Sequence, residues 1–186
     1  MKVRSMNQQK ADPMKASFHR EQHGMTRVDI ATGVPFDQFI AALEQAAPPV
    51  DRAAVAQIVA SGGDWDDVVA AAATNAPNEL MVYAKIDATE FFSAAGHHTQ
   101  AIEYLIGNHV IAETMFRHDP KALLYAPLRM LVHSDVDGNA IFTMDQPGPA
   151  FGSLGIDEVS EVGEGLDRKV VNLLRVVGVD VEQAFA

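Results

Sequence analysis

Apolar and polar positions change their spacing several times along the chain, and each change marks an element. Met25 to Ala31 alternates around Val28 and Ile30, which predicts a first strand. Pro35 then suits the first turn of a helix, and Pro48-Pro49 ends that helix. Its apolar positions recur at helical spacing: Phe36, Phe39, Ile40 and Leu43.

The stretch from 51 to 74 predicts a helical hairpin. One apolar stripe precedes Ser61-Gly62-Gly63 and consists of Val55, Ile58 and Val59. Asp64 is placed to cap a second helix, whose predicted buried face consists of Trp65, Val68, Val69 and Ala72. We therefore expect two short helices joined by a glycine turn.

After Glu79 the pattern changes to a period of two, which predicts strands. Leu80, Val82, Ala84 and Ile86 alternate with Met81, Tyr83 and Lys85, and Ala101 to Ile106 continues the pattern. Short helices are expected at 88 to 95 and 109 to 117. Two further apolar runs, Pro127 to His133 and Ala140 to Met144, flank a turn in which Gly138 tolerates positive φ, so they predict a hairpin.

A long amphipathic helix is expected from about Asp157 to Val177. Gly163 and Gly165 weaken its first half, which indicates either a later start or the close approach of another backbone. Together these elements predict one α/β (α+β) domain over 25–186, with a mainly antiparallel sheet of about five strands, helices packed on it and a helical insertion at about 51–74. Residues 1–24 lack periodicity and are expected to form a flexible N-terminal segment.

Composition narrows the classes of function. The chain has 186 residues, a formal charge of -11 and no cysteine. The acidic balance argues against nucleic acid and membrane surfaces as partners. The absence of thiols excludes disulfides and thiolate metal centres. The N-terminal residues do not have the pattern of a signal peptide, so the expected location is the cytoplasm.

A series of short motifs follows in a recognisable order. The matching residues are Thr32-Gly33-Val34-Pro35-Phe36-Asp37, Ile86-Asp87-Ala88, Gly107-Asn108, Thr114 with Met115, Asp119-Pro120, Pro127-Leu128-Arg129 and Asp137-Gly138. This order resembles the domain of unknown function 302 family over roughly residues 26 to 147, with the helical hairpin as an insertion. The resemblance implies a small α/β fold that tends to form homodimers. It implies no catalytic residues, because the family has no generally established activity.

One position departs from the family pattern. The family usually has Gly-Asn-Pro at the turn, whereas this chain has Gly107-Asn108-His109. The turn remains compatible with histidine, and an imidazole is added at the start of a helix. We therefore expect a ligand pocket near this turn, with these candidate residues: Asn108, His109, Glu113, Thr114 and Met115.

The histidines suggest a second interpretation. The protein would then be an enzyme with a histidine-ligated haem or divalent metal near the same turn. His109 and Glu113 are four residues apart and would share a helical face. The candidate ligands are His97, His98, His109, Glu113 and His118, and the residues that could line a haem pocket are Phe91, Phe92, Met115 and Phe116. The simpler alternatives are an ion pair between Glu113 and Arg117, ordinary core packing of the aromatic residues, and exposed histidines on loops.

A third interpretation is a dimeric interaction module that uses the 51–74 insertion to dock a partner. The sequence leaves the identity of any ligand, and the presence of catalysis, open.

Overall fold

The protein folds as a five-stranded antiparallel sheet with helices on one face, as shown by a computed structural model that describes residues 16–185, apart from the side chain of Glu182. The strands are β1 Arg27–Pro35, β2 Met81–Asp87, β3 Ala101–Gly107, β4 Leu128–Ser134 and β5 Asn139–Asp145. Their spatial order is β1-β5-β4-β3-β2, and every neighbouring pair is antiparallel. The predicted fold class is confirmed.

The helices connect and cover these strands. They are α1 Phe36–Ala46, α2 Arg52–Ala60, α3 Trp65–Asn75, α4 Thr89–Ser93, α5 His109–Phe116, α6 Pro147–Gly152 and α7 Asp157–Val176, with 3-10 helices at Pro120–Leu124 and Glu182–Phe185. The sequence did not predict α6, because its two prolines and two glycines are typical of a loop. Within the described residues, no helix is long and apolar enough to cross a membrane.

The main core lies between one face of the sheet and helices α1 and α7. Alternate residues of the central strands point into it, and α1 and α7 contribute their apolar stripes, so Tyr104, Phe142, Phe39 and Leu174 are fully buried. The apolar stripe predicted for α1 is confirmed. At Gly163 an added Cβ would lie 2.8 Å from Phe151 Cβ, so the glycine is explained by the close packing of α6 on α7.

The opposite face of the sheet, here called the open face, is less covered, and a cleft on it is bordered by Leu124 of the first 3-10 helix and Ala150 of α6. Directly paired residues share a face in an antiparallel sheet, so Leu105, Leu131 and Ile141 lie there together with the exposed Ile86. The strand predicted around Ile86 is confirmed, but the expected burial of Ile86 is wrong.

The predicted helical hairpin is confirmed at Arg52–Ala60 and Trp65–Asn75. Asp64 caps α3 by accepting the backbone N–H groups of Asp66 and Asp67. Burial was predicted less well, because α2 has no buried residue and Trp65 is 44% exposed. The hairpin is therefore attached to the domain mainly through Val68 and Ala72 of α3.

Residues 16–24, the described part of the predicted N-terminal lead-in, are exposed and carry no helix or strand. The rest of that lead-in lies outside the described residues.

Candidate functional site

A cavity of about 190 Å³ opens beside the turn between β3 and α5. It is lined by Tyr83, Gly107, Asn108, His109, Ile111, Ala112, Met115, Leu123, Ala126, Pro127, Leu128 and Leu166. Most of these side chains are apolar, and the polar groups come from Tyr83, Asn108 and His109. The cavity therefore lies where the sequence predicted a pocket.

Asn108 builds the turn that positions the site. Its Oδ1 accepts the Val110 backbone N–H at 2.9 Å, which caps α5, and its Nδ2 donates to the Glu79 carbonyl at 2.9 Å. Glu79 adopts φ +67, which is uncommon for a residue with a side chain. Its carboxylate also forms an ion pair with Lys169 of α7. Asn108 thus anchors the start of α5 to the chain just before β2.

His109 is the first residue of α5, and its side chain meets Tyr83 of β2. The Tyr83 hydroxyl lies 2.8 Å from His109 Nδ1. Burial lowers the pKa of His109, which favours the neutral imidazole. The other ring nitrogen, Nε2, exposes less than 1 Å² and has no hydrogen-bond partner among the described residues.

A break in the sheet brings Tyr83 to this position. The register of β2 against β3 shifts between Val82 and Ala84, so Tyr83 is the extra residue of a bulge. The backbone around Pro49 pairs with Val82 through two hydrogen bonds of 2.9 Å. This pairing covers part of the edge of β2 at Val82, directly before the bulge that turns the Tyr83 side chain.

Arg52 completes the surroundings of Tyr83. Its Nη2 donates to the Tyr83 carbonyl at 3.2 Å, and its guanidinium lies 5.8 Å from the centre of the Tyr83 ring. Burial raises the pKa of Tyr83, while the His109 backbone N–H and the charge of Arg52 oppose that rise. Because the phenol oxygen faces that N–H, we assign the hydroxyl hydrogen to His109 Nδ1 and the imidazole hydrogen to Nε2.

The predicted ligand-binding residues divide into two groups. Asn108, His109 and Met115 line the cavity, and Met115 is 1% exposed. Glu113 and Thr114 are not among its lining residues. Glu113 forms an ion pair with Arg117, as the simpler interpretation expected, and the Thr114 hydroxyl donates to the Ile111 carbonyl at 2.8 Å.

The predicted metal or haem ligands are not brought together. His97 and His98 are exposed after α4, and His118 is exposed after α5. Among the described residues, no group of three or more histidine, aspartate and glutamate side chains is arranged to hold a metal ion. Of this set only Glu113 shares a helix with His109, and its carboxylate is engaged by Arg117.

The residues predicted either to line a haem pocket or to pack in the core do not form one buried group. Phe91, Phe92 and Phe116 are 76%, 55% and 47% exposed, and only Met115 of the predicted group is buried. Phe91 and Phe92 lie on α4, a short helix that has no buried residue.

Three further features of the site were not predicted from the sequence. Tyr83 was expected on the outer side of a regular strand, and the bulge that re-aims it lies where Pro49 pairs with Val82. Arg52 reaches the site from the insertion, and Leu166 reaches it from α7. No local motif encodes these approaches, since each depends on how distant elements pack.

Comparison with known proteins agrees with this fold. A model of the family described as "Domain of unknown function DUF302" matches residues 57–175, which is more than half of the chain. The match begins within the helical hairpin and extends through most of α7, so it is displaced toward the C-terminus from the predicted 26 to 147. The chain belongs to the DUF302 family.

A solved structure shares the architecture. It is an uncharacterized conserved DUF302 protein from Bacillus stearothermophilus, 14% identical, with a TM-score of 0.55 over 82% of this chain and 97% of that chain. At this identity the likeness concerns the fold alone. No curated protein matches the sequence.

Proposed function

We propose that the protein binds a small, largely apolar molecule in the cavity beside the Gly107-Asn108-His109 turn. The observation that carries this proposal is the combination of apolar walls with one hydrogen-bonded polar pair, Tyr83 and His109, at the rim. Small-molecule sites commonly have this composition, with few polar groups that orient the ligand. Apolar cavities of about 150 Å³ are large enough to take up benzene.

A binding role is better supported than a metal or haem centre. Among the described residues no three histidine, aspartate or glutamate side chains are arranged to hold a metal ion, and Glu113 is engaged by Arg117. The Tyr83 hydroxyl also holds the imidazole through Nδ1. The ligand of this cavity is therefore expected to be organic.

Calorimetric titration with indole tests the proposal. Wild-type protein is expected to bind indole, and Ala112→Met should weaken binding at least tenfold because the longer side chain fills the cavity. Ala94→Met is the matched control, since Ala94 is exposed at the end of α4. Equal binding by both variants would place indole outside the cavity and contradict the proposal.

We also propose that two copies associate through the open face of the sheet. Leu105, Leu131 and Ile141 lie on that face and are only half-buried in the single chain. The same face carries both charge signs, with Arg129 3.0 Å from Glu103. A surface of this kind can be self-complementary about a twofold axis.

Leu131→Lys tests the association. In the monomer a lysine there stands opposite Glu103, which favours the fold, whereas burial of the lysine between two copies is costly. Analytical ultracentrifugation should show a wild-type dimer and a monomeric variant. Val59→Lys on the exposed surface of α2 is the control and should remain dimeric. A wild-type monomer at high protein concentration would refute the association.

A further inference from the structure

Two cavities have His109 in their linings. One is the apolar cavity of the proposed function. The other is a cleft of about 440 Å³ between α2 and α3. The cleft is lined by Asp51, Ala54, Val55, Ala71, Ala72, Thr74, Asn75 and His109. His109 is the residue that the two linings share.

We propose that the His109 imidazole is a gate between two halves of one binding site, which accepts an elongated amphipathic molecule when the ring turns aside. This inference rests on the proposed function, because the apolar cavity holds one end of that molecule. The polar end of the molecule then lies in the cleft between α2 and α3 of the helical insertion. His109 then determines the length of the molecule that binds.

The contacts of the imidazole suit a movable group. Among the residues that the structure describes, one side-chain hydrogen bond holds the ring, from the Tyr83 hydroxyl to Nδ1. Nε2 is buried without a partner among the described residues, so the closed position leaves a donor unsatisfied. A bound molecule with an acceptor oxygen would satisfy that donor when the ring turns.

The far wall of the cleft is also free to adjust. Helix α2 contributes Ala54 and Val55 to the cleft, yet none of its residues is buried. Its polar contacts with neighbouring elements lie at its start, where the Asp51 backbone N–H donates to Asn75 Oδ1 and Arg52 Nη2 donates to the Tyr83 carbonyl. A segment with so few buried contacts can shift without disturbing the core.

The charges of the cleft indicate the class of ligand. Asp51 contributes a carboxylate, and among the described residues that line the cleft there is no lysine or arginine. Burial lowers the pKa of His109, so the imidazole is neutral rather than cationic. The cleft therefore disfavours a carboxylate. The ligand has an apolar end and an uncharged polar end, as in a long-chain alcohol.

A series of primary alcohols from 1-butanol to 1-octanol tests the gate, with octanoate as the charged comparison. Each methylene that enters apolar space strengthens binding about fourfold. His109→Ala is expected to raise the ratio of 1-octanol to 1-butanol affinity at least tenfold over wild type, because 1-octanol alone gains apolar contacts when the imidazole is removed. Octanoate should bind more weakly than 1-octanol to both proteins.

Methyl NMR of the wild-type protein locates the bound chain independently of any variant. 1-Butanol should shift the Met115 methyl alone, and 1-octanol should shift Met115 together with Val55 and Thr74 in the cleft. Tyr83→Phe keeps the imidazole but removes the hydrogen bond that holds it, and it should also favour 1-octanol.

The outcomes separate the gate from the proposed function. If 1-butanol binds at Met115 but 1-octanol leaves Val55 and Thr74 unshifted, or gains nothing from His109→Ala, the gate is refuted and the cavity stands. If no alcohol binds to wild-type protein, the proposed function fails and the gate fails with it.

Discussion

The Tyr83 hydroxyl lies 2.8 Å from His109 Nδ1, and this contact joins an edge strand to the first residue of a helix. It positions the imidazole beside the apolar cavity, which His109 lines. It exists because the bulge in β2 turns Tyr83 toward the turn that Asn108 caps. The bulge in β2 and the turn capped by Asn108 therefore form the candidate site together, although neither of them predicts a site alone.

Tyr83→Phe should destabilise the protein by about 1 kcal/mol, the usual net contribution of one hydrogen bond. Without the hydroxyl, Nδ1 loses its donor and the preference for the Nε2–H tautomer should weaken. Urea denaturation measures the loss of stability, and the ¹⁵N shifts of His109 measure the tautomer. An unchanged tautomer would show that the hydroxyl does not set it.

The His109 imidazole should titrate below the ordinary histidine range, because burial disfavours its charged form. As the pH falls below the pKa of about 6.5 in the unfolded chain, that chain takes up a proton before the folded protein does. The contribution of His109 to stability is therefore complete above that pH and is lost as the pH falls toward the lower folded pKa. NMR titration of folded and urea-unfolded protein checks this. A folded pKa above the unfolded one would contradict the assigned environment.

Two glycines of α7 should respond to alanine with opposite signs. At Gly163 the new Cβ would lie 2.8 Å from Phe151 Cβ, so Gly163→Ala should destabilise by about 1–3 kcal/mol. At Gly165 the nearest atom is Arg168 Nη2 at 3.7 Å, so Gly165→Ala should gain up to about 1 kcal/mol in helix propensity.

Thermal and urea denaturation of both glycine variants gives the comparison. Equal effects of the two substitutions would show that α6 does not pack on Gly163 as described.

Tyr104 connects the core to a polar group at the surface of α1. Its hydroxyl donates to Glu44 Oε1 at 2.6 Å, and Lys85 Nζ lies 2.7 Å from the same oxygen. Burial raises the pKa of Glu44, but the hydrogen bonds from Lys85 and Tyr104 together lower it by more. The net shift of the Glu44 pKa is therefore downward.

Tyr104→Phe should therefore cost about 1–2 kcal/mol at neutral pH, because a hydrogen bond to a charged group is lost. Glu44 has a lowered folded pKa, so its contribution is present above the unfolded value of 4.5 and is lost as the pH falls through the folded value. The difference between wild type and variant, measured by urea denaturation, should shrink at acidic pH. A difference that grows with acidity would contradict this network.

Much of the fold could be predicted because its elements follow simple periodicities. The stripe from Phe36 to Leu43 and the hairpin around Gly138 each need only local rules. Helix α6 was missed because Pro147 and Gly148 are atypical of helices, and its close packing against Gly163 of α7 is a contact between separate elements.

Only the part of the candidate site that lies on the turn between β3 and α5 could be predicted from the sequence. The Asn108 cap and the cavity beside His109 follow from the turn, and the departure from proline drew attention to the histidine. Tyr83 could not be predicted, because a bulge reverses the side on which a strand residue lies and the alternating pattern does not record it. The exposure of Phe91 and Phe92 was likewise hidden, since burial depends on which elements cover them.

The most direct test of the ligand cavity is the methyl NMR spectrum of the methionines during titration with indole. Met115 lines the cavity, whereas Met130 is equally buried in the core but is not among the lining residues. A saturable shift of the Met115 methyl with Met130 nearly unchanged is the predicted result. Binding that leaves Met115 unshifted, or no binding at all, would contradict the assignment of this cavity as a ligand site.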